Sequence, residues 1–261
     1  MKRSALLSGL LAGALALSLS ACSSGEPEPS LTPDAPSPTA SAAPEPSSAA
    51  PVWGEQVFAK TFAAGDGETV LTVSLSLPLV QNTDACPAGN AVNDWYKAEG
   101  EARMLEAEDA YEMAVADYDV SQAAGLPFSP TTQEMTYQVA YADGAVFSIR
   151  REFYVHYGST AHPYAFLFGE VFDAQTGEEL GASRFFTDPE TAKARAVEAF
   201  VEKYSLQDSW DAVEDACQAE NFYLSEEGYV FWISGGTLPS ANSPIEVTLP
   251  YDDMKDVSVD G

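Results

Sequence analysis

Residues 150–177, RREFYVHYGSTAHPYAFLFGEVFDAQTG, decide the fold of this chain. An apolar and aromatic run ends at Tyr157, a second begins at Tyr164, and a short segment rich in Gly, Ser and Pro lies between them. Two strand-like runs joined in this way predict a β-hairpin or a tight strand crossover. The segment from Asp173 to Gly177 predicts a second turn, because Gly takes a positive φ readily.

Upstream of this stretch, alternating hydrophobicity predicts strands at 56–62, 69–79, 134–141 and 145–157. Asp-Gly dipeptides between the paired runs predict hairpin turns. Apolar residues at spacings of three and four predict an amphipathic helix over 91–118 whose acidic side faces water and does not bind a metal. Its predicted apolar face includes Val92, Trp95, Tyr96, Ala102, Leu105, Tyr111, Val115 and Tyr118.

Downstream, Asp188-Pro189 predicts the start of a helix that continues to Tyr204. A short helix at 210–218, a hairpin at 221–233, a strand at 245–249 and a final turn at 250–255 follow. This order of elements predicts an α+β fold in which helices pack on a largely antiparallel β-sheet.

The N-terminal residues predict export and lipid anchoring. A basic pair and an apolar run in residues 1–21 are typical of a bacterial export signal. The exit sequence LSAC resembles a lipobox, in which the Cys22 thiol is acylated and becomes the new N-terminus. Residues 22–51 consist mostly of Ser, Pro, Ala and Glu and predict a disordered tether. The folded part is therefore expected outside the cytoplasmic membrane, held to the cell membrane by the lipid.

The charge of the chain restricts its partners. The 261 residues include 12 basic and 40 acidic ones, for a formal net charge of −28. Such a charge repels nucleic acid and anionic membrane surfaces, so nucleic acid is excluded as a partner. It would favour cationic partners or bound cations, but the simpler interpretation is a surface-displayed protein that is kept soluble by self-repulsion.

No catalytic or cofactor motif is present in the sequence. A Gly-x-Ser-x-Gly elbow, a His-Glu-x-x-His pair and a P-loop are all missing. His162 with Asp173 or Glu170 is the one candidate pair of a base and its orienting acid. A His before Pro163 in a turn is more often structural, so we expect His162 to make a buried hydrogen bond. We predict no catalytic residue, no cofactor and no metal site.

Two cysteines remain besides Cys22. In an oxidising extracytoplasmic setting Cys86 and Cys217 are candidates for a disulfide. The sequence alone leaves open whether they are bonded.

Four motifs together resemble a bacterial extracytoplasmic family. They are Tyr157-Gly158-Ser-Thr-Ala-His162-Pro163, Phe172-Asp173-x-x-Thr176-Gly177, Asn221-Phe-Tyr-x-x-x-x-Gly228-x-x-Phe231 and Ile245-x-Val-x-Leu-Pro250-Tyr251. The family is the RsiV-like domain, the receptor part of a lysozyme-sensing anti-sigma factor and an accessory region of PdaC-type peptidoglycan deacetylases. The usual turn of that family is Tyr-x-Gly-Gly-Ala-His-Pro, and this chain departs from it at Ser159-Thr160.

The resemblance implies a non-catalytic α+β binding domain at the cell wall. It implies an N-terminal subdomain of the PdaC-accessory type at 52–130 and an RsiV-like C-terminal domain at 131–261. The expected ligand is a cationic protein such as lysozyme, or peptidoglycan. The alternatives from the residues themselves are an uncharacterised hydrolase of cell-wall glycan and a structural lipoprotein that spaces the wall.

Overall fold

The structure is a computed structural model that describes residues 50–158, 162–238 and 242–259. The predicted signal, Cys22 and nearly all of the predicted tether lie outside the described residues. The elements in order are β1 Trp53–Ala63, β2 Thr69–Val80, α1 Gly89–Ala124, β3 Thr131–Ala142, β4 Val146–His156, β5 Tyr164–Asp173, α2 Pro189–Tyr204, α3 Trp210–Ala216, β6 Phe222–Leu224, β7 Gly228–Ile233, β8 Ile245–Pro250 and α4 Tyr251–Met254. Within the described residues none of the helices is both long and apolar enough to cross a membrane.

The α+β prediction is confirmed. Strands β1 to β5 form one sheet in sequence order, and β6 to β8 form a second. The predicted hairpin around residues 150–177 is confirmed, because β4 and β5 pair antiparallel from Val155–Tyr164 to Val146–Asp173. One pairing departs from the antiparallel pattern. Strands β2 and β3 are parallel, because α1 carries the chain back across the sheet between them.

The parallel pairing joins the two halves of the predicted domain division in one sheet. Leu71–Leu75 of β2 pair with Thr131–Met135 of β3. The predicted boundary at 130/131 therefore falls immediately before a strand of the five-stranded sheet.

Helix α1 packs along one face of the five-stranded sheet and builds the first hydrophobic core with it. Small residues at intervals of seven, Gly100, Ala107 and Ala114, are buried and allow close approach. A Cβ on Gly100 would meet the ring of Phe58. Gly125 ends the helix with φ 64°, because Gly adopts a left-handed backbone without steric cost.

The predicted bounds and faces of α1 need two corrections. The helix continues six residues beyond Tyr118 to Ala124, because no Gly or Pro interrupts the chain before Gly125. Ala102 and Leu105 were expected on the buried face, yet both are exposed. Only one row of residues along the helix packs on the sheet, and Ala102 and Leu105 lie on the opposite side of the helix.

The second sheet covers the other face of β4 and β5. Leu167 of β5 packs with Tyr223, Val230 and Trp232 in a cluster between the two sheets. Beyond it, α2 contributes Phe200 to the other large core. The predicted start of α2 is confirmed: Asp188 accepts a hydrogen bond from the Thr191 N–H, and Pro189 is the first helical residue.

Candidate functional site

The turn predicted as a family motif connects β4 and β5, and residues 159–161 within it lie outside the described residues. The backbone at Gly158 passes so close to the carbonyl of Ser129 that a Cβ would overlap it. Tyr157 is 37 % exposed, and its ring lies 6.4 Å from that of Tyr164. His162 is exposed and is therefore not buried as expected.

The proposed pairing of His162 with Asp173 or Glu170 is also wrong. His162 precedes β5, whereas Asp173 is the last residue of that strand. At about 3.3 Å per residue the strand separates the two by roughly 30 Å, and Glu170 is only slightly nearer. Both carboxylates have other partners, and neither is close enough to orient the imidazole of His162.

Asp173 instead organises the second predicted turn. Its Oδ1 accepts hydrogen bonds of 2.8 Å from the backbone N–H groups of Thr176 and Gln175, and these hold the pKa of the carboxyl below its ordinary value. Gly177 has φ 73° and packs against the start of α1. The Asp173–Gly177 motif is thus a structural turn that fixes the end of β5 on the helix.

Gly177→Ala is expected to lower the free energy of unfolding by about 2–4 kcal/mol, because it combines a left-handed backbone with a steric clash. A Cβ there would lie 2.6 Å from the Ala91 Cβ and 2.9 Å from the Ala88 carbonyl oxygen. Gly181→Ala is the matched control, since nothing lies near its Cβ and its φ is −82°. Urea unfolding of both variants measures the difference, and equal stabilities would contradict the assignment.

A buried ion cluster lies between α1 and the sheet, centred on Arg151 of β4. Arg151 is 2 % exposed, and its Nε donates to both carboxylate oxygens of Glu170 at 3.1 Å. Its Nη1 donates to Glu99 of α1 at 3.1 Å. The hydroxyl of Tyr96 donates to Glu170 at 3.1 Å. We call these four residues the Arg151 cluster.

The charges within the Arg151 cluster satisfy one another. Burial raises the pKa of the Glu170 carboxyl, and the Arg151 guanidinium opposes that rise. Burial also raises the pKa of the Tyr96 hydroxyl, which stays a proton donor. Among the described residues, no buried side-chain nitrogen or oxygen lacks a hydrogen-bond partner. The cluster therefore joins α1 to β4 and β5 and offers no free acid or base.

Arg150 makes the equivalent connection on the opposite face of the sheet, because adjacent residues of a strand point to opposite sides. Its Nε and Nη2 donate to the two carboxylate oxygens of Glu246 in β8 at 3.0 Å each. The Tyr223 hydroxyl donates to the same carboxylate at 2.8 Å. The consecutive arginines thus bind the long helix on one side and the second sheet on the other.

A cleft of about 430 Å³ lies where β1 begins and the β3–β4 turn approaches it. Trp53, Phe147 and Val139 give it apolar walls, and Asp143 contributes the acidic group among its described lining residues. Burial opposes ionisation of Asp143, but the N–H groups of Val146 and Ala145 hold its pKa low. An ionised carboxylate that caps its own turn is poorly suited to acid–base catalysis.

The candidate disulfide is absent from the structure. Cys86 lies in the core beneath α1 and Cys217 in the core around α2, and both thiols are free and buried. Burial raises the pKa of the Cys217 thiol to about 11 and raises that of Cys86 as well. Both therefore remain protonated, unreactive core residues.

The surface is acidic because most of the basic side chains are already paired. Salt bridges in the described residues join Lys60 to Glu108, Lys97 to Glu101, Arg103 to Glu99 and Glu106, Arg150 to Glu152 and Glu246, Arg151 to Glu99 and Glu170, Arg195 to Asp256, and Lys255 to Asp252. The excess of carboxylates is left facing solvent. In the same part of the chain no three His, Cys, Asp or Glu residues are arranged to hold a metal ion.

Comparisons with known proteins support the fold only. No family model matches the chain, and no curated protein matches it in sequence. Its structure is similar to the crystal structure of a DUF3298 family member from Bacteroides fragilis, with 15% identity, a TM-score of 0.57 and coverage of 82% of this chain and 95% of that one. A DUF3298 family protein from Pseudomonas aeruginosa gives 12% identity, a TM-score of 0.53 and coverage of 81% and 95%. At these identities the likeness is one of architecture: this chain has the fold seen in DUF3298 family structures.

Proposed function

We propose that this protein is a lipid-anchored cell-envelope protein whose folded part is a non-catalytic domain that binds a wall-associated ligand. The ligand favoured by the charge is a cationic protein such as lysozyme. Peptidoglycan is the second candidate that the motif resemblance to RsiV-like domains implies. The observation that carries the proposal is the excess of exposed carboxylates, since the chain has 40 acidic residues and most of its basic ones are paired.

Electrostatics gives this surface a physical role in binding. A surface of one sign raises the local concentration of oppositely charged partners and accelerates their association by about 10- to 1000-fold at low salt. The same field repels anionic membranes and nucleic acid. A tethered domain of this kind is suited to capturing cationic proteins that approach the wall.

The hydrolase alternative has less support from the described residues. A glycosidase places two carboxyl groups within about 10 Å across a cleft, and at least one has a raised pKa. Glu170 has a raised pKa, but it is buried and bound by Arg151 and Tyr96. Asp143 lines the apolar cleft, but its pKa is lowered.

A binding assay on the purified chain tests the proposal. We expect the protein to retain lysozyme at low salt and to retain much less at moderate salt, because the attraction is screened. The control ligand is an acidic protein of about the size of lysozyme, which this chain should not retain. Purified sacculi are tested in parallel, and binding to sacculi alone would assign peptidoglycan as the ligand. Retention of neither ligand would overturn the proposed function.

A further inference from the structure

The outward face of α1 carries an unpartnered apolar stripe. Leu105, Met113 and Val120 are 66%, 61% and 68% exposed. With about 3.6 residues per turn, their positions fall within an arc of roughly 80° on the helix. That arc lies opposite the row that packs on the sheet, which consists of Val92, Tyr96, Gly100, Ala107, Ala114 and Tyr118.

Small residues extend the stripe, and one exposed carboxylate, Asp109, lies within it between Leu105 and Met113. Ala98, Ala102, Ala116 and Ala123 are exposed on the same side of the helix. At about 1.5 Å per residue, the stripe from Ala98 to Ala123 is roughly 37 Å long. Scattered apolar residues on a surface need no explanation, but large ones aligned along one helix face are typical of an interaction surface.

Carboxylates flank the α1 stripe on both sides. Glu101, Glu108, Glu112 and Asp119 are exposed along one edge, and Glu106 and Asp117 along the other. Lys97 is the exposed basic residue of the helix, and it lies 4.0 Å from Glu101. The face therefore combines a row of apolar side chains with carboxylates along both edges and, at Asp109, within the row.

We propose that the α1 stripe is a docking surface for a cationic amphipathic helix. Such a helix has apolar residues at i, i+3 or i+4 and i+7, which would lie along Leu105, Met113 and Val120. Lysine or arginine residues beside its apolar row would meet the flanking carboxylates. This inference rests on the proposed function in one respect, namely that the ligand is cationic. It adds that the partner is an amphipathic helix and that the α1 stripe is the surface that binds it.

A second copy of the chain and the predicted tether are both unsuitable occupants. A second copy would bring its own acidic edges against these, and like charges across an interface are unfavourable. The tether is also acidic, because residues 23–49 contain Glu26, Glu28, Asp34 and Glu45 and no basic residue. The charge of the stripe thus selects a partner of opposite sign.

The test measures binding of designed peptides to the full-length chain. The probe is a helical peptide of leucine and lysine with leucine at heptad a and d positions. One control peptide has glutamate in place of each lysine, and another has serine in place of each leucine. We expect only the leucine–lysine peptide to bind tightly, with an affinity at least about tenfold above that of either control.

Substitutions on the protein locate the site. Leu105→Gln, Met113→Gln and Val120→Gln combined should weaken binding of the leucine–lysine peptide by about tenfold or more, because glutamine keeps the helix but removes the apolar contact. Circular dichroism checks that the variant is folded.

Val52→Gln, Val57→Gln and Val259→Gln combined are the matched control. These three valines are also exposed but lie on other elements, so the control variant should bind like the unsubstituted chain.

Three results would overturn the inference while leaving the proposed function intact. The first is equal binding of the serine–lysine peptide, which would make the attraction purely electrostatic. The second is unchanged peptide binding by the Leu105, Met113 and Val120 variant. A dimer of the chain that this variant dissociates would also overturn it, because the occupant would then be a second copy. Failure of the proposed function is separate, since it requires that lysozyme and sacculi both fail to bind.

Discussion

Arg151→Met is expected to lower the free energy of unfolding by about 3–5 kcal/mol, because it leaves a buried carboxylate without its counter-charge. Glu170 is 5% exposed and receives hydrogen bonds from Arg151 and Tyr96. Methionine fills much of the arginine volume, so the loss reflects the charge more than a cavity. Denaturant unfolding of the variant and the unsubstituted chain gives the difference.

The double variant Arg151→Met with Glu170→Leu should recover most of that stability, because a buried ion pair replaced by apolar residues is often neutral. Arg195→Met is the surface control. Its bridge to Asp256 is exposed, with side chains 31% and 66% accessible, and its loss should cost less than about 1 kcal/mol. A similar small loss for Arg151→Met would show that the Arg151 cluster does not stabilise the fold.

The pH dependence of the Arg151→Met variant provides an independent check. Burial raises the pKa of Glu170, and removal of Arg151 removes the charge that opposes this rise. A carboxyl whose pKa is higher in the folded state stabilises the fold below its unfolded pKa, and this stability is lost as the pH rises through the folded pKa. The deficit of the variant should therefore be smaller at about pH 5 than at about pH 8. A deficit that does not change with pH would argue against a buried carboxylate.

Cys22→Ser is expected to abolish lipidation completely, because no other thiol is near the predicted signal exit. Cys86 and Cys217 are buried in the folded part and are not available as substitutes. Metabolic labelling with an alkyne fatty acid should label the unsubstituted protein and leave the variant unlabelled. The variant should also be released from the membrane fraction. Cys217→Ser serves as the control and should stay labelled. Label on the Cys22 variant would rule out the lipobox.

The sequence predicts the elements of the described region well, because each has strong local signals. The alternation in β2, the Asp143-Gly144 turn and the Asp188-Pro189 helix start depend on neighbouring residues, and all are confirmed. The parallel pairing of β2 with β3 is not evident from the sequence, since it depends on where a 36-residue helix returns the chain. Topology of this kind is set by long-range packing.

The partners of the two adjacent arginines and the exposed stripe on α1 are harder to predict from the sequence. Arg150 and Arg151 are adjacent charges inside an apolar strand, which is a signal that buried partners exist, yet Glu99, Glu170 and Glu246 are distant in sequence. The α1 stripe is not evident from the sequence, because Leu105 follows Ala102 at a spacing of three that fits the apolar period, although both lie opposite the row that packs on the sheet. His162 is a candidate base in the sequence because the chain has only two histidines, but its distance from Asp173 means that this carboxylate does not orient it.

The capture of a cationic ligand by an acidic domain can be measured as the salt dependence of the affinity for lysozyme. The dissociation constant of lysozyme for the full-length chain would be measured by titration calorimetry between low and physiological salt. We expect measurable binding that weakens steeply as salt rises, because opposite charges on two surfaces are screened within about 10 Å at 0.1 M salt. No binding of lysozyme at low salt, or an affinity independent of salt, would contradict the capture of a cationic ligand by this domain.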